Sequence, residues 1–363
     1  MKKDDLSKIA LRQKQELPLE GKIILTQQRI REWYDHWNGQ VYVSFSGGKD
    51  STVLKHIIDS MYDDVPAVFV NTGLEYPEIQ QFVRDVKSGK HACFNPDVEI
   101  VRPEMRFDDV IREYGYPVVS KEVSNTIAGA RNSIEKGVYS HRLCKLGVTR
   151  DEYGGLRDDG KHDYDAKLKG SKFMQTKWRF LLDADFKISS RCCDVMKKRP
   201  AADYEKRTGR KPFVATMACE SMNRENEWYK NGCNGFKAKK PKSIPMSFWT
   251  EQDVLKYIKK YNVPYCSVYG DIRVRNADDA VDDQINMFDY LDTYDAEDTL
   301  ETTGCDRTGC MFCMFGCHLE KGLNRFQRMK ETHPRQYAYC MKPTEEGGLG
   351  LAKVLDYVGV SYE

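Results

Sequence analysis

The chain lacks any stretch approaching the roughly 18 apolar residues that mark a membrane-spanning helix. Its opening residues, MKKDDLSKIALRQKQ, hold no apolar block of the export-signal kind. The expectation is a protein that is neither exported nor membrane-spanning and that works in the cytoplasm. The chain also lacks an excess of one charge. Its 57 Lys and Arg stand against 55 Asp and Glu, a formal net charge of +2, so no global basic field announces nucleic acid. No internal repeat is visible, and the G-x-x-x-x-G-K spacing of a Walker A loop is absent. Cysteine breaks this pattern of absences, with twelve residues. In a reducing compartment these read as metal ligands, catalytic thiols or small hydrophobes rather than as disulfides.

At 363 residues, 40% of them hydrophobic and 11% aromatic, the chain can fill one large domain with an appended module, or two domains. The charge it carries is patchy. Residues 230–242 (KNGCNGFKAKKPK) hold five lysines and no acid, whereas residues 276–301 hold ten acids and no Lys or Arg. Ile23, Ile24, Ile30, Trp33, Tyr34 and Trp37 recur at near-helical spacing and predict an amphipathic helix ending near Asn38-Gly39. Apolar runs at 41–45, 65–71 and 97–103 predict strands, and the stretch after each predicts a helix, the third across Phe107–Tyr114. Strands and helices alternating at this spacing imply an α/β fold with a doubly wound, mostly parallel sheet. Residues 137–212 read as loops and short helices, and 213–218 as a late strand. Residues 249–263 read as a helix with Thr250 as N-cap and Asp253 three residues on.

Ser46-Gly47-Gly48-Lys49-Asp50-Ser51 joins the first predicted strand to its helix, at the carboxyl ends of the strands where such sheets bind ligands. Two glycines let backbone N–H groups approach an anion closely. The serines add hydroxyls, and the helix that follows presents the positive end of its dipole. Lys49 supplies further charge, and Asp50 can orient the loop or help to place Mg²⁺. An ordinary βα turn that contains two glycines is the bland alternative. Six residues in this order, after a buried strand and before a helix, favour a nucleotide phosphate site.

SGGKDS resembles the PP-loop of ATP pyrophosphatases, which cleave ATP between its α- and β-phosphates. NTGLEYPE (71–78) and PMSFWTEQDVLKYIKKYNVPYCSVY (245–269) are similar to segments of the phosphoadenosine-phosphosulfate (PAPS) reductase family within that superfamily. Glu220-Ser221-x-x-Arg224 matches the family's E-S-x-x-R element, while Ala215 and Met217 stand where the family usually carries Gly and Arg. The resemblance implies an adenine-nucleotide alpha-hydrolase-like fold that binds ATP with Mg²⁺. It implies Lys49, Asp50 and Ser51 as catalytic residues. The implied nucleotide contacts are Ser46, Gly47, Gly48, Lys49, Asp50, Ser51, Asn71, Thr72, Gly73, Glu220, Ser221 and Arg224. The accompanying domain reading is a polar leader over 1–21, a PP-loop nucleotide-binding domain over 22–262 and a C-terminal module over 263–363. That module carries the acidic stretch as a surface insertion, followed by a cysteine cluster.

Cys310 and Cys313 form a C-x-x-C inside the run Cys305-x4-Cys310-x2-Cys313-x3-Cys317, and Cys192-Cys193 is an adjacent pair flanked by Arg191, Lys197, Lys198 and Arg199. Thiolates two residues apart can chelate one metal site, soft sulfur selects Zn or Fe–S, and neighbouring cations favour the thiolate. Cys305, Cys310, Cys313 and Cys317 could form a self-contained site without the pair, and a vicinal disulfide at 192–193 is a remote third option. CC followed far downstream by CxxC resembles the [4Fe–4S] ligand set of assimilatory adenylyl-sulfate reductases. That resemblance implies Cys192, Cys193, Cys310 and Cys313 as ligands. Cys93, Cys144, Cys219, Cys233 and Cys266 read as buried inert thiols. The same reading is preferred over sulfur carriage for Cys317 and Cys340. His318 and His333 read as surface or hydrogen-bonded residues.

Two enzymatic readings share this architecture. In the first, an acceptor oxygen attacks the α-phosphate of ATP, pyrophosphate leaves, and sulfur from a cysteine desulfurase or another donor displaces AMP. In the second, adenylyl sulfate or PAPS is itself the sulfur donor and a cysteine thiolate attacks it. The intact loop favours ATP. So does a tail that offers only Cys340 in place of the Glu-Cys-Gly-type motif of the reductases. Within the first reading the chain looks like the ATP pyrophosphatases of DNA phosphorothioation systems, with tRNA-thiolating enzymes nearest in mechanism. DNA, tRNA and a small metabolite are all candidate acceptors. A third class is a non-catalytic, zinc-stabilised nucleic-acid module. It would use the lysines of 230–242 for phosphate contact and Trp228, Tyr229 and Phe236 for stacking.

Overall fold

Short β-branched runs set the centre of the molecule. In the computed structural model, which describes residues 3–157, 170–275 and 299–363, helices α1 (Lys3–Gln15) and α2 (Leu19–His36) precede strand β1 (Val41–Ser44). Helix α3 (Lys49–Asp59), β2 (Ala67–Val70), α4 (Pro77–Lys87) and β3 (Val98–Val101) follow in alternation. With β4 (Lys211–Phe213) the strands form a four-stranded sheet of order β3-β2-β1-β4, parallel at every pairing. Strands that run parallel need a crossover between them, and helices supply it. Each helix is amphipathic for that reason. Val53, Leu54, Ile57 and Ile58 of α3 and Ile79, Phe82, Val83 and Val86 of α4 are buried in one core with Val41, Val43, Ala67, Phe69 and Phe213. Each such side chain contributes roughly 1.5–3 kcal/mol of burial. Because β2 and β4 flank β1 on opposite sides, the strand order reverses at β1, and its carboxyl end opens into the crevice that α/β sheets use for ligands.

Helix Glu251–Tyr261 closes the same core through Val254, Tyr257 and Ile258. Its predicted cap is present: Thr250 Oγ1 accepts from Asp253 N at 3.4 Å, and Asp253 Oδ2 accepts from Thr250 N at 2.7 Å. Asp253 Oδ2 also takes the buried Lys22 ammonium at 2.6 Å. The late strand, predicted over 213–218, lies instead at Lys211–Phe213 and shares only Phe213 with that stretch. Beyond Phe213 the chain leaves the sheet, because Val214 N donates to Ser243 O at 2.8 Å and Ala218 N to Ser247 O at 2.7 Å.

The aromatics beside the lysine patch are corrected as well. Trp228 belongs to the core, with Tyr229 and Phe236 packed against it. Phe236 stacks on Trp33 with ring centroids 5.1 Å apart. Packing of this kind leaves Trp228 and Phe236 poorly placed to stack on bases. Residues 276–298 of the acidic stretch lie outside the described residues. After them, β6 (Leu300–Thr302) pairs antiparallel with β5 (Ile272–Val274).

The chain forms two compact units. The first comprises Met1–Asn71, Glu75–Arg102 and Ala201–Thr308, and holds the sheet. The second comprises Thr72–Leu74, Pro103–Pro200 and Gly309–Glu363. It is helical, with α5 (Phe107–Tyr114), α6 (Lys121–Glu135) and α7 (His141–Lys145) followed later by Arg325–Thr332, Pro334–Met341 and Leu351–Val358. Arg131 of α6 ties its irregular part together. Its guanidinium donates to the carbonyls of Leu181, Leu182, Ala184 and Phe186 at 2.6–3.1 Å. Among the described residues no helix is long and apolar enough to cross a membrane.

A candidate phosphate site and a cysteine cluster

The turn at 46–51 is held by its own hydroxyls. Ser46 N donates to Ser51 Oγ at 3.1 Å, the two serine hydroxyls are 2.9 Å apart, and Ser51 Oγ donates to Gly48 O at 2.9 Å. Gly47 needs to be glycine on two counts. Its φ is +72°, and a Cβ would lie 2.9 Å from Ile79 Cγ2 and 3.0 Å from Val83 Cγ2. Gly48 is the N-cap of α3, so the turn ends at the positive end of a helix dipole.

Lys49 and Asp50 supply the charge. The Lys49 side chain is buried, its ammonium paired with Glu251 at 2.8 Å and bonded to the Asp306 carbonyl. Its backbone N–H donates to Tyr269 Oη at 3.2 Å, and Tyr269 Oη lies 2.6 Å from Thr308 Oγ1. Asp50 Oδ1 is buried with no hydrogen-bond partner. Burial pushes the Asp50 carboxyl up, against the opposing pull of Lys49, Arg307 and Arg224. A buried, unpartnered carboxylate oxygen among cations is a fit for Mg²⁺, which binds through one or two carboxylates plus substrate phosphates.

The E-S-x-x-R residues reach this neighbourhood. Glu220 accepts from Met217 N at 2.9 Å and pairs with Arg224 and, at 3.8 Å, with Arg307. Ser221 caps helix Met222–Asn231, its hydroxyl accepting from Arg224 N at 3.4 Å. Asn71 ends β2, its N–H donating to Val101 O at 2.8 Å. Thr72 and Gly73 fall in the second unit, where Thr72 Oγ1 accepts from Leu74 N at 3.2 Å and Gly73 adopts a φ of +76°.

Sequence reasoning missed Glu251, Arg307 and Thr308. It also misread Cys219, which is exposed, as is Cys93. Cys219 sits on the single turn Ala218–Glu220, lies within electrostatic reach of Asp50 and Arg307, and donates to Trp249 O at 3.4 Å. Cys144, Cys233 and Cys266 are buried. So are Cys317 and Cys340, whose thiols burial pushes up to about 11 and about 12.

Cys192, Cys193, Cys310 and Cys313 all lie in the second unit. Cys192 is buried and its Sγ is 4.0 Å from that of Cys193. The hydrogen bond to Cys193 and burial raise the Cys192 thiol, and Cys193, Cys313 and Cys310 push it the same way. Cys193 is drawn down to about 6, first by the hydrogen bond from Cys192 and then by Lys197 and Lys121 against the effect of burial. Burial raises Cys313, which feels Cys193, Lys197 and Arg325. Cys192 thus feels the other three thiols, and Lys197, Lys121 and Arg325 act on Cys193 or Cys313. Among the described residues no three His, Cys, Asp or Glu side chains converge on a single-ion position.

A model of the phosphoadenosine phosphosulfate reductase domain matches residues 40–137 and 143–315. Two uncharacterized proteins of Methanocaldococcus jannaschii are similar over short stretches. One is 36% identical over 90 residues, 24% of this chain and 18% of that protein. The other is 35% identical over 66 residues, 18% of this chain and 16% of that protein. The chain thus spans under a fifth of the length of the curated relatives it matches. A crystal structure of PAPS reductase from Candida auris, in a phosphate complex, aligns over 73% of this chain and 88% of that one, at 17% identity and a TM-score of 0.35.

Proposed function

The chain belongs to the phosphoadenosine phosphosulfate reductase domain family, and from that premise we propose that it is an ATP pyrophosphatase that adenylates an acceptor oxygen so that sulfur can replace it. The observation that carries this reading is the unpartnered Asp50 oxygen in a glycine turn, with Lys49, Arg224 and Arg307 acting on it. Magnesium-bound polyphosphate answers both halves of that arrangement. Its oxygens meet the cations and the turn, and its metal meets the carboxylate.

The work assigned to this chain is positioning and charge neutralisation. Lys49 and Arg224 hold the phosphate oxygens whose charge grows as the bond between the α- and β-phosphates breaks. Asp50 would hold Mg²⁺, which supplies neutralisation of that charge when bound. An acceptor oxygen attacks the α-phosphorus, pyrophosphate leaves, and an acceptor–AMP adduct results, a mixed phosphoanhydride where the acceptor is a phosphate oxygen. Sulfide, released from a cysteine desulfurase's persulfide by thiol reduction, then displaces AMP and becomes the acceptor's new sulfur. The acceptor favoured by the resemblance is DNA, as a backbone phosphate oxygen, with tRNA next. The reaction belongs in the cytoplasm on this reading. Cys192, Cys193, Cys310 and Cys313 would hold a [4Fe–4S] cluster, which supplies electron-transfer or sulfide-binding chemistry.

The sulfonucleotide-reductase reading asks for an accessible thiol nucleophile in the tail. Cys340 is fully buried and its thiol is pushed up to about 12, which speaks against Cys340 as that nucleophile. The test is pyrophosphate release from ATP with DNA, tRNA or neither, under anaerobic conditions with a sulfide source. Wild type should release pyrophosphate, and Asp50→Ala and Ser51→Ala should lose at least about 10²-fold, as removal of transition-state charge stabilisers does. Reduction of adenylyl sulfate to sulfite with ATP ignored would overturn the proposal.

A further inference from the structure

Residues 303–308 form a short arm of the first unit, downstream of β6, that rests on the phosphate turn. Its backbone is fixed. Thr303 N donates to Asp271 O at 3.0 Å, Gly304 N to Tyr269 O at 2.9 Å, and Cys305 N to Val268 O at 3.0 Å. Gly304 is pressed so closely on this segment that a Cβ would lie 2.4 Å from Val268 O. Further along, the Asp306 carbonyl takes the Lys49 ammonium and Thr308 Oγ1 meets the Tyr269 hydroxyl that receives the Lys49 N–H. Between these two anchors stands Arg307. Its side chain is 64% exposed and lies 3.8 Å from Glu220, beyond hydrogen-bond reach. Arg224 contacts the other oxygen of the same carboxylate.

Two guanidiniums share one carboxylate beside the turn. Planar guanidinium forks suit the oxygens of a phosphate better than any other side chain does. A loosely held guanidinium on a rigid backbone can close on an incoming anion at little conformational cost. We propose that Arg307 is a phosphate-gripping residue of the nucleotide site, paired with Arg224 across Glu220, and that it holds the pyrophosphate portion of the ligand. The Glu220 carboxylate occupies the place of the ligand's oxygens until they arrive. The influence of both arginines on Asp50 agrees with a single shared site. This inference rests on the ATP reading above and adds a residue to it.

The test is equilibrium binding of ATP, inorganic pyrophosphate and AMP, each with Mg²⁺, to wild type, Arg307→Ala and Arg307→Lys, together with the KM for ATP. Arg307→Ala should weaken ATP and pyrophosphate by about tenfold, the scale of one charge-assisted hydrogen bond, raise KM in parallel and leave AMP binding unchanged. Arg307→Lys should recover part of the loss. Both variants should melt with wild type, because the side chain is exposed. Unchanged pyrophosphate affinity in Arg307→Ala would overturn the assignment, as would an equal loss for AMP. A wild type that binds neither ATP nor pyrophosphate is a separate result, and it removes the ATP reading together with this one.

Discussion

Burial and charge pull Asp50 in opposite directions, and burial prevails. A carboxyl whose pKa is higher in the folded chain than in the unfolded one opposes folding once pH exceeds the unfolded value. The penalty is absent in acid and grows as pH rises from the unfolded pKa towards the folded one. Asp50→Asn should therefore raise the melting temperature of the ligand-free protein at pH 7.5, with the gain fading in acid. The same substitution should abolish pyrophosphate release. A neutral melting point equal to or below wild type would contradict this account. Cys219 offers a second test. Alkylation of the native protein followed by peptide mass spectrometry should label Cys219 without prior unfolding, and Mg-ATP should slow labelling at Cys219 but not at Cys93. At this scale the turn was legible because six chemically demanding residues are contiguous. Arg307 was not, because nothing in its own neighbours separates it from a solvated arginine, and Cys219 was not, because exposure is decided by the turn it occupies.

Among elements, helix Glu251–Tyr261 shows how one side chain can serve local and distant structure. Thr250 supplies only a cap, so Thr250→Ala should cost about 1 kcal/mol. Asp253 closes that cap and also neutralises Lys22, whose side chain is 3% exposed. Asp253→Ala strands that cation and should cost about 3–5 kcal/mol. Chemical denaturation of the two variants gives the ordering directly, and equal losses would show that the Lys22 pairing adds nothing. In the second unit Arg131→Ala leaves four backbone carbonyls without their donor, at roughly 1–3 kcal/mol for each one that stays dry. Hydrogen exchange should then accelerate through residues 181–186, ahead of the sheet strands. The regular elements were visible in the sequence because period-2 and period-3.6 patterns are local. The path of 181–186 was not, because one arginine on α6 organises it from some fifty residues away.

Across the whole molecule, alternating strands and helices foretold a parallel α/β sheet, and the sheet order places the phosphate turn at its switch point. What composition does not mark is how the chain divides. Each unit is assembled from three separated segments, and no shift in residue type announces which segment returns to which. The division has a chemical consequence. Ser46–Ser51, Glu220, Arg224 and Arg307 all belong to the first unit, while Cys192, Cys193, Cys310 and Cys313 all belong to the second. Nucleotide grip and cluster assembly should therefore fail separately. Protein purified without oxygen should absorb near 400 nm, and Cys313→Ser should lose that band and its iron while Cys93→Ser keeps both. Mg-ATP binding by Cys313→Ser should stay at the wild-type value, even though sulfur insertion stops. If that variant loses its colour and its ATP affinity together, the cluster shapes the nucleotide site and the two chemistries are one. If its absorbance and iron content match wild type, these four thiols hold no cluster.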